Sequence, residues 1–394
     1  MNHTSPHPYL IAALRRSGAA VRDLHWAESE NGKRPLGRVV EFRRFATARE
    51  HPMTVRLISP RLFVELVRAK EDVVVVYELG LVGLYAGLSK LLRPHKVISL
   101  VEADYRHSGR TGTIGVKVAL RRFAARFVDV FVTNNPSARD YVMATLGVPE
   151  EKIVVGWWLA GLPSELESRA PKADPVPEGV PLFVCASRLI PLKGVDLLIK
   201  AVATYRQRFG PCALWVIGDG PERDSLVQLA QRLGVEDSVT FLGAVDHATL
   251  KGAFEACDAF VFPTLQDLVG RVVVEALTAG APVIASPMTG AVATIVHDDM
   301  NGIVVDPRAE GELAAALHRA TDPQTAHALH EGVQRMNAAL RPDAAAEVLL
   351  RALALARNEP PAGRDAELRP IDPRAADKTS AMRPRRLPVP GGRA

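Results

Sequence analysis

Cysteine is scarce in this 394-residue chain, which holds only Cys185, Cys212 and Cys257. An odd count with no C-x-x-C spacing excludes a disulfide framework and a cysteine-built zinc site, and it reads as reduced core residues. Long apolar runs are lacking too. The longest candidate, Val73 to Leu88, is interrupted by Glu78 and Gly80. It reads as a buried strand, Val73 to Tyr77, followed by a helix, not as a membrane span. Met1 to Pro8 is polar and has no signal-peptide core. These absences predict a cytoplasmic protein. There is no internal repeat and no D-x-D pair of the metal-binding kind. A G-x-G-x-x-G between a first strand and a helix is missing as well, which sets a dinucleotide-dependent oxidoreductase last among the readings.

What is present is globular. Hydrophobic residues make up 47% and charged residues 24%, and the length suits two domains with separate cores. Charge is uneven. Residues 1–170 hold 25 Lys and Arg against 17 Asp and Glu, a net of +8. Residues 171–358 hold 16 against 22, a net of −6, and residues 359–394 hold 8 against 5. The basic half suits either an anionic membrane or a solubilising, Arg-rich surface.

Short apolar runs alternate with helical patterns. Candidate strands are 73–77, 96–101, 128–133 and 153–157 in the first half. In the second half they are 182–186, 213–217, 240–242, 259–262, 283–285 and 302–305. This alternation predicts two parallel-sheet α/β domains with right-handed crossovers. Residues 1–170 form the first domain. Residues 171–181 carry four prolines and form a stiff linker. Residues 182–343 form the second domain, 344–358 a terminal helix, and 359–394 a disordered tail rich in Pro, Arg and Ala. The segment from Gly115 to Val128 places Val116, Leu120, Phe123 and Phe127 at helical spacing beside Lys117, Arg121, Arg122 and Arg126. Such a helix either packs on its own sheet or lies on an anionic membrane.

The most informative stretch is 263–286, P-T-L-Q-D-L-V-G-R-V-V-V-E-A-L-T-A-G-A-P-V-I-A-S. An irregular turn, 265–270, runs into a helix over about 271–279. Gly280 stops that helix at the left-handed cap, and Pro282 opens a strand. Asp267 and Glu275 bracket the helix start. Free N–H groups there can hold a phosphate and the carboxylates can hold sugar hydroxyls, the combination a nucleotide-sugar needs.

This stretch resembles the donor-site signature of glycosyltransferase family 4, the retaining group 1 enzymes with the GT-B fold, written E-G-F-G-L-V-x-L-E-A-x-A-x-G-x-P-V-I-A. Glu275, Ala276, Gly280, Pro282, Val283, Ile284 and Ala285 match, and Gly270 matches the second glycine. Asp267 stands where the first Glu is usual and Leu268 where the first Gly is usual. Ser187 to Gly194 resembles the G-R-L-x-x-x-K-G segment. Trp215 to Glu222 resembles the strand with its G-x-G-P loop, and Val239 to Gly243 the V-x-F-x-G strand whose following backbone faces the base. Together the motifs cover 182 to about 310.

The resemblance implies two Rossmann-like domains facing a central cleft, and a retaining transfer of sugar from a UDP- or GDP-linked donor. Arg188 and Lys193 would clamp the diphosphate, Asp267 would hold sugar hydroxyls, and Glu275 the ribose. Gly218, Gly220, Gly243, Leu268, Val269 and Gly270 would line the donor. Asp104 and His107 are the acceptor-side candidates, with Glu102 beside them as a loop anion. Read alone, each of these is an ordinary strand-end cation, turn residue or surface acid. No metal or other cofactor and no nucleic acid is implied. The acceptor would be a glycan, a lipid-linked glycan or a small molecule at the inner face of the cell membrane. Family members begin with a strand and a Gly-rich loop that this chain lacks, so an upstream start is the expectation. A non-catalytic binding subunit is the rival reading.

Overall fold

The computed structural model describes residues 8–19, 37–42, 53–58, 60–77, 79–102, 114–267, 269–290, 292 and 294–359. The N-terminal lobe runs through α1 (Pro8–Arg16), β1 (Gly37–Phe42), β2 (Met53–Ile58), α2 (Pro60–Arg68), β3 (Val73–Tyr77) and α3 (Leu81–Ser89). It continues with β4 (Lys96–Val101), α4 (Ile114–Ala125), β5 (Val130–Thr133), α5 (Pro136–Asp140) and β6 (Ile153–Val155). Strands β3-β4-β5-β6 form a parallel sheet in that order. The central strands β4 and β5 are largely apolar and buried, whereas Val75 and Tyr77 of β3 and Val155 of β6 are exposed at the sheet's edges. Ile98, Leu100, Val130 and Val132 belong to one core, Val97, Val101 and Phe131 to another. Strands β1 and β2 pair antiparallel as a separate ribbon, an element the sequence reading does not contain. Residues 20–25 of the strand-like run after α1, and the tail beyond residue 359, lie outside the described residues.

The C-terminal lobe comprises β7 (Leu182–Ala186), α6 (Val195–Arg208), β8 (Ala213–Ile217), α7 (Arg223–Arg232), β9 (Val239–Gly243), α8 (His247–Ala256), β10 (Ala259–Phe262) and α9 (Arg271–Thr278). It closes with β11 (Val283–Ala285), β12 (Gly302–Val304), α10 (Glu312–Thr321), α11 (Pro323–Asn337) and α12 (Pro342–Arg357). Six parallel strands lie in the order β12-β11-β10-β7-β8-β9. Taken from the other edge, this is the doubly wound order whose direction reverses between β7 and β10. Each parallel pairing needs a crossover, and α6, α7 and α9 supply helical ones after β7, β8 and β10, whereas β11 reaches β12 through turns.

Two segments cross between the lobes. Residues 157–162 are buried, and the Leu162 N–H donates to Thr278 Oγ1 of α9 at 2.8 Å. The return crossing is α12, which packs on β4, β5 and β6 through Ala345, Ala346, Val348, Leu349 and Ala352. Its alanine-rich face lets the helix lie close to the sheet. Arg16 of α1 pairs with Asp343 of α12 at 2.7 Å.

Helix α4 departs from the pattern read in sequence. Among its described side chains Ala124 and Ala125 are buried, with Val128 just beyond. Leu120 and Phe123 are 41% and 44% exposed, although they carry the apolar spacing. Small residues fit the tight seat beneath the helix, and the larger ones are turned outward. At the neighbouring contact, a Cβ on Gly87 of α3 would meet Phe127 at 2.6 Å.

Candidate active site

Open α/β sheets bind ligands outside the carboxyl ends of the strands that flank the switch point. Here those strands are β7 and β10, and the loops that leave them are 187–194 and 263–270. The two loops are fastened together. The Leu265 N–H donates to the Leu192 carbonyl at 2.8 Å, and Thr264 Oγ1 donates to the same carbonyl at 3.0 Å. Gly194 has φ of 64°, and a Cβ there would fall 2.2 Å from the Pro263 carbonyl oxygen. Only glycine allows that approach.

Across this seam Lys193 Nζ forms an ion pair and hydrogen bond with Asp267 Oδ2. The ammonium also lies 5.4 Å from the centroid of the Phe262 ring. Burial pushes the Asp267 carboxyl upward. The Lys193 charge and hydrogen bond, with the Val269 and Gly270 N–H groups, outweigh burial and hold it below the ordinary carboxylate range. Both N–H groups donate to Asp267 Oδ1, at 3.0 and 2.8 Å. Gly270, at φ of 70°, is the N-cap of α9. Two of the N–H groups read from sequence as phosphate donors therefore serve the Asp267 turn in this structure.

Glu275 lies one turn into α9 and is 8% exposed, amid Val273, Val274 and Ala276. Its Oε1 is 4.0 Å from His247 Nε2 at the start of α8. The Tyr9 ring of α1 sits 5.6 Å from the His247 ring, tilted at 56°. Burial raises the Tyr9 phenol above its ordinary pKa, with help from the charges of Glu275 and Asp246. A residue from the first helix of the chain thus stands beside the acid proposed for the ribose.

The glycines of the loop after β8 have a packing reason. A Cβ on Gly218 would lie 1.9 Å from the Ser187 carbonyl oxygen, and one on Gly220 2.3 Å from that of Leu189. The Gly218 N–H donates to the Gly243 carbonyl at 2.8 Å, and the Leu189 N–H to the Asp219 carbonyl at 2.9 Å. These contacts bring the ends of β7, β8 and β9 onto one rim. Arg188 stands exposed on that rim. Asp104, His107 and Leu268 lie outside the described residues.

Two charged residues of the cleft were not singled out as site residues in the sequence. Arg271 occupies the first position of α9, where the signature usually has Leu. That departure was visible in the motif itself. Glu102, at the tip of β4, is 5% exposed. Burial pushes its carboxyl up to about 8, with Arg271 pulling it down and Asp267 pushing it up. Both of those charges belong to the C-terminal lobe. All three cysteines are free and buried. Among the described residues no cluster of three or more His, Cys, Asp or Glu could hold a metal, and no helix is long and apolar enough to cross a membrane.

Comparison with known proteins agrees with this geometry. A GDP-mannose-dependent alpha-(1-6)-phosphatidylinositol monomannoside mannosyltransferase of Mycobacterium tuberculosis is 38% identical over 144 residues, 35% of this chain and 37% of that protein's length. The lipopolysaccharide core biosynthesis glycosyltransferase LpsD of Rhizobium meliloti is 35% identical over 162 residues, 39% of this chain and 45% of that protein. Each match thus spans less than half of its relative. Among solved structures, the lipopolysaccharide outer core galactosyltransferase WaaB has a TM-score of 0.57 at 16% identity, covering 75% of this chain and 78% of that chain. Anabaena HepE in complex with UDP and glucose has a TM-score of 0.54 at 22% identity, covering 76% and 80%. At these identities the likeness to the solved structures is one of fold, the two-lobed GT-B architecture. Residues 167–336, built around the switch point just described, match the family described as glycosyl transferases group 1.

Proposed function

We propose that this chain is a retaining glycosyltransferase that moves a sugar from a UDP- or GDP-linked donor to a glycan or lipid-linked acceptor in cell-surface glycoconjugate synthesis. The observation that carries this reading is the Lys193–Asp267 pair at the switch point, with Glu275 buried one helical turn behind it. A donor diphosphate takes Lys193 from Asp267, and exposed Arg188 closes on the same phosphates. Asp267, released, accepts from hydroxyls of the donor sugar. Glu275 accepts from the ribose hydroxyls. As the bond between C1 and the phosphate oxygen breaks, charge builds on the diphosphate, and the two cations stabilise it. The acceptor oxygen bonds to C1 on the same face, and its proton goes to the departing phosphate oxygen. No metal and no separate base is required by this scheme. Names among the relatives, a phosphatidylinositol monomannoside mannosyltransferase and a lipopolysaccharide core enzyme, support a glycolipid acceptor.

The test is calorimetry with UDP and GDP, followed by nucleotide release from a panel of nucleotide-sugars. One nucleotide should bind and its sugar conjugate should turn over. Arg188→Ala should lower kcat about 100-fold, the scale of one lost transition-state charge partner. Absence of binding to either nucleotide overturns the reading. Tight binding with no release from any donor favours a non-catalytic subunit instead.

The outer face of the N-terminal lobe supports a membrane-associated acceptor. Residues 81–95 and 114–128 contain six Lys or Arg and no Asp or Glu. At the distal ends of α3 and α4, Leu91 and Leu92 are 73% and 66% exposed, near exposed Phe123. Lys90 of this tip donates to the Phe127 carbonyl at 3.0 Å, which ties the two helix ends together. Exposed apolar side chains on two helices rich in Lys and Arg fit an anionic bilayer at the inner face of the cell membrane, with Lys90 itself paired to Asp129 at 2.6 Å. A second copy of this chain would bring like charge against like.

A further inference from the structure

The first helix of the chain brings an aromatic side chain to the opposite lobe, and the reaction scheme makes no use of it. Helix α1 is fastened by Leu10 and Ala13, which are buried in the core it shares with α12, and by the Arg16–Asp343 ion pair at its far end. Tyr9 stands at the near end, partly buried against that core. Its ring lies 5.6 Å from the His247 ring at 56°, a tilted aromatic contact. The imidazole Nε2 in turn stands 4.0 Å from Glu275 Oε1, farther than a hydrogen bond and within range of a charge contact. The three side chains form a row from α1 through the first residue of α8 to a point one turn into α9.

The middle of this row is held by the backbone as well. Asp246 caps α8 by accepting from the Thr249 N–H at 2.8 Å, and its other oxygen accepts from Arg169 at 2.6 Å. The Arg169 N–H donates to the Ala248 carbonyl at 3.0 Å. A Cβ on Gly252 would fall 2.2 Å from the Arg169 carbonyl oxygen, so α8 lies against the chain just before the linker. His247 is thus carried on a fixed turn, and Tyr9 meets its ring. Burial and the charges of Glu275 and Asp246 raise the Tyr9 phenol, which stays neutral and adds no second anion beside Glu275. A glutamate carboxylate hangs on three rotatable bonds, and ordering it on a ligand costs entropy. A neighbour that orders it beforehand lowers that cost.

We propose that Tyr9 and His247 are positioning residues for Glu275: the Tyr9 ring packs the imidazole toward the carboxylate and holds that carboxylate ready for the ribose hydroxyls. The first helix of the N-terminal lobe thereby contributes to the choice of a ribonucleotide over a deoxyribonucleotide by the donor domain. The inference rests on the ribose role given to Glu275 above. The plain alternative is a packing contact that fastens the two lobes together. Such a contact stabilises the fold without regard to which hydroxyls the ligand carries, so the two roles part on ligand chemistry.

The test is calorimetry of the full chain with UDP, 2′-deoxy-UDP, GDP and 2′-deoxy-GDP. The deoxy forms lack one hydroxyl of the ribose pair. For whichever base binds, wild type should prefer the ribonucleotide about 10-fold, the scale of one charge-assisted hydrogen bond. Tyr9→Ala and His247→Ala should each cut that preference to about 3-fold or less by weakening the ribonucleotide alone. Unchanged binding of the deoxy form then also reports that the variant is folded. Tyr9→Phe keeps the ring and should keep the preference. If Tyr9→Ala does not fold, His247→Ala on the helix start carries the test. Equal weakening of both forms, no change in either, or a loss in Tyr9→Phe as large as in Tyr9→Ala overturns the proposal. Wild-type protein that binds neither UDP nor GDP defeats the donor-site reading itself, and wild type that binds ribo and deoxy forms alike defeats the ribose role of Glu275. Both of those failures show before any variant is made, and so are distinct from one confined to the Tyr9 and His247 variants.

Discussion

At the scale of single residues, the proposed scheme divides one donor between Asp267 and Glu275. Asp267 is held by Lys193 and by two backbone N–H groups, so it is both a turn residue and a sugar ligand in this scheme. Glu275 has its place fixed by burial on α9. Glu275→Gln should weaken UDP or GDP binding by about 1–3 kcal/mol, the worth of a charge-assisted hydrogen bond. Asp267→Asn should leave that binding nearly intact and impair turnover of the whole nucleotide-sugar. Equal losses of bare-nucleotide binding in both variants would refute the division. The pair with Lys193 also has a pH signature. Because the folded carboxyl is depressed, its stabilisation is complete above the ordinary aspartate pKa and is lost as pH falls through the lower, folded value. Asp267→Asn should therefore lower Tm at pH 7 more than at pH 3. Much of this site was legible in the motif, since residue type and spacing carried Lys193, Asp267 and Glu275. Glu102 and Tyr9 were not, because each belongs to the other lobe and approaches the site only through tertiary packing.

At the scale of elements, the parallel strands were readable almost to the residue, whereas the β1–β2 ribbon was not read at all. Sheets buried on both faces demand unbroken apolar runs, and β7, β8, β10 and β11 fall on the runs read from sequence. Helix faces were harder. Spacing marked Leu120, Phe123 and Phe127 as one apolar stripe, for the sheet or for a membrane, and it is Ala124, Ala125 and Val128 that are buried. A crowded contact prefers small side chains, and periodicity does not weigh size. The outward leucines and phenylalanine give α3 and α4 a testable role. The protein should co-sediment with vesicles of phosphatidylglycerol and phosphatidylcholine and not with phosphatidylcholine alone. Leu91→Asp combined with Phe123→Asp should reduce the bound fraction several-fold without changing nucleotide binding, and added salt should do the same. Equal binding to neutral and anionic vesicles, or an unaffected double variant, would remove the membrane from the account.

At the scale of the whole molecule, the two lobes are joined by two crossings. Residues 157–162 pass from β6 to α9, and the stretch from Asn337 to α12 returns to the N-terminal sheet. At the second crossing Asn337 Nδ2 donates to the Thr278 carbonyl at 2.8 Å, and the Gly161 N–H donates to the Leu340 carbonyl at 3.1 Å. The crossings therefore touch each other on α9, the helix that carries Glu275. No sequence pattern announces this, because hydrophobic periodicity says that α12 has an apolar face and not which lobe receives it. The two crossings are pinned to each other and to α9 by these hydrogen bonds. Ala352 lies fully buried in the face of α12 that meets the sheet. Ala352→Asp places a charge there, at a cost of about 3 kcal/mol or more. The C-terminal lobe keeps its own six-stranded sheet and the core around Phe183 and Leu214. Denaturant unfolding of this variant should then separate into two transitions, the first without loss of UDP or GDP binding and the second with it. A single transition in which binding and fluorescence are lost together would mean that the donor domain depends on α12 for its own fold, and that the two lobes are one cooperative unit.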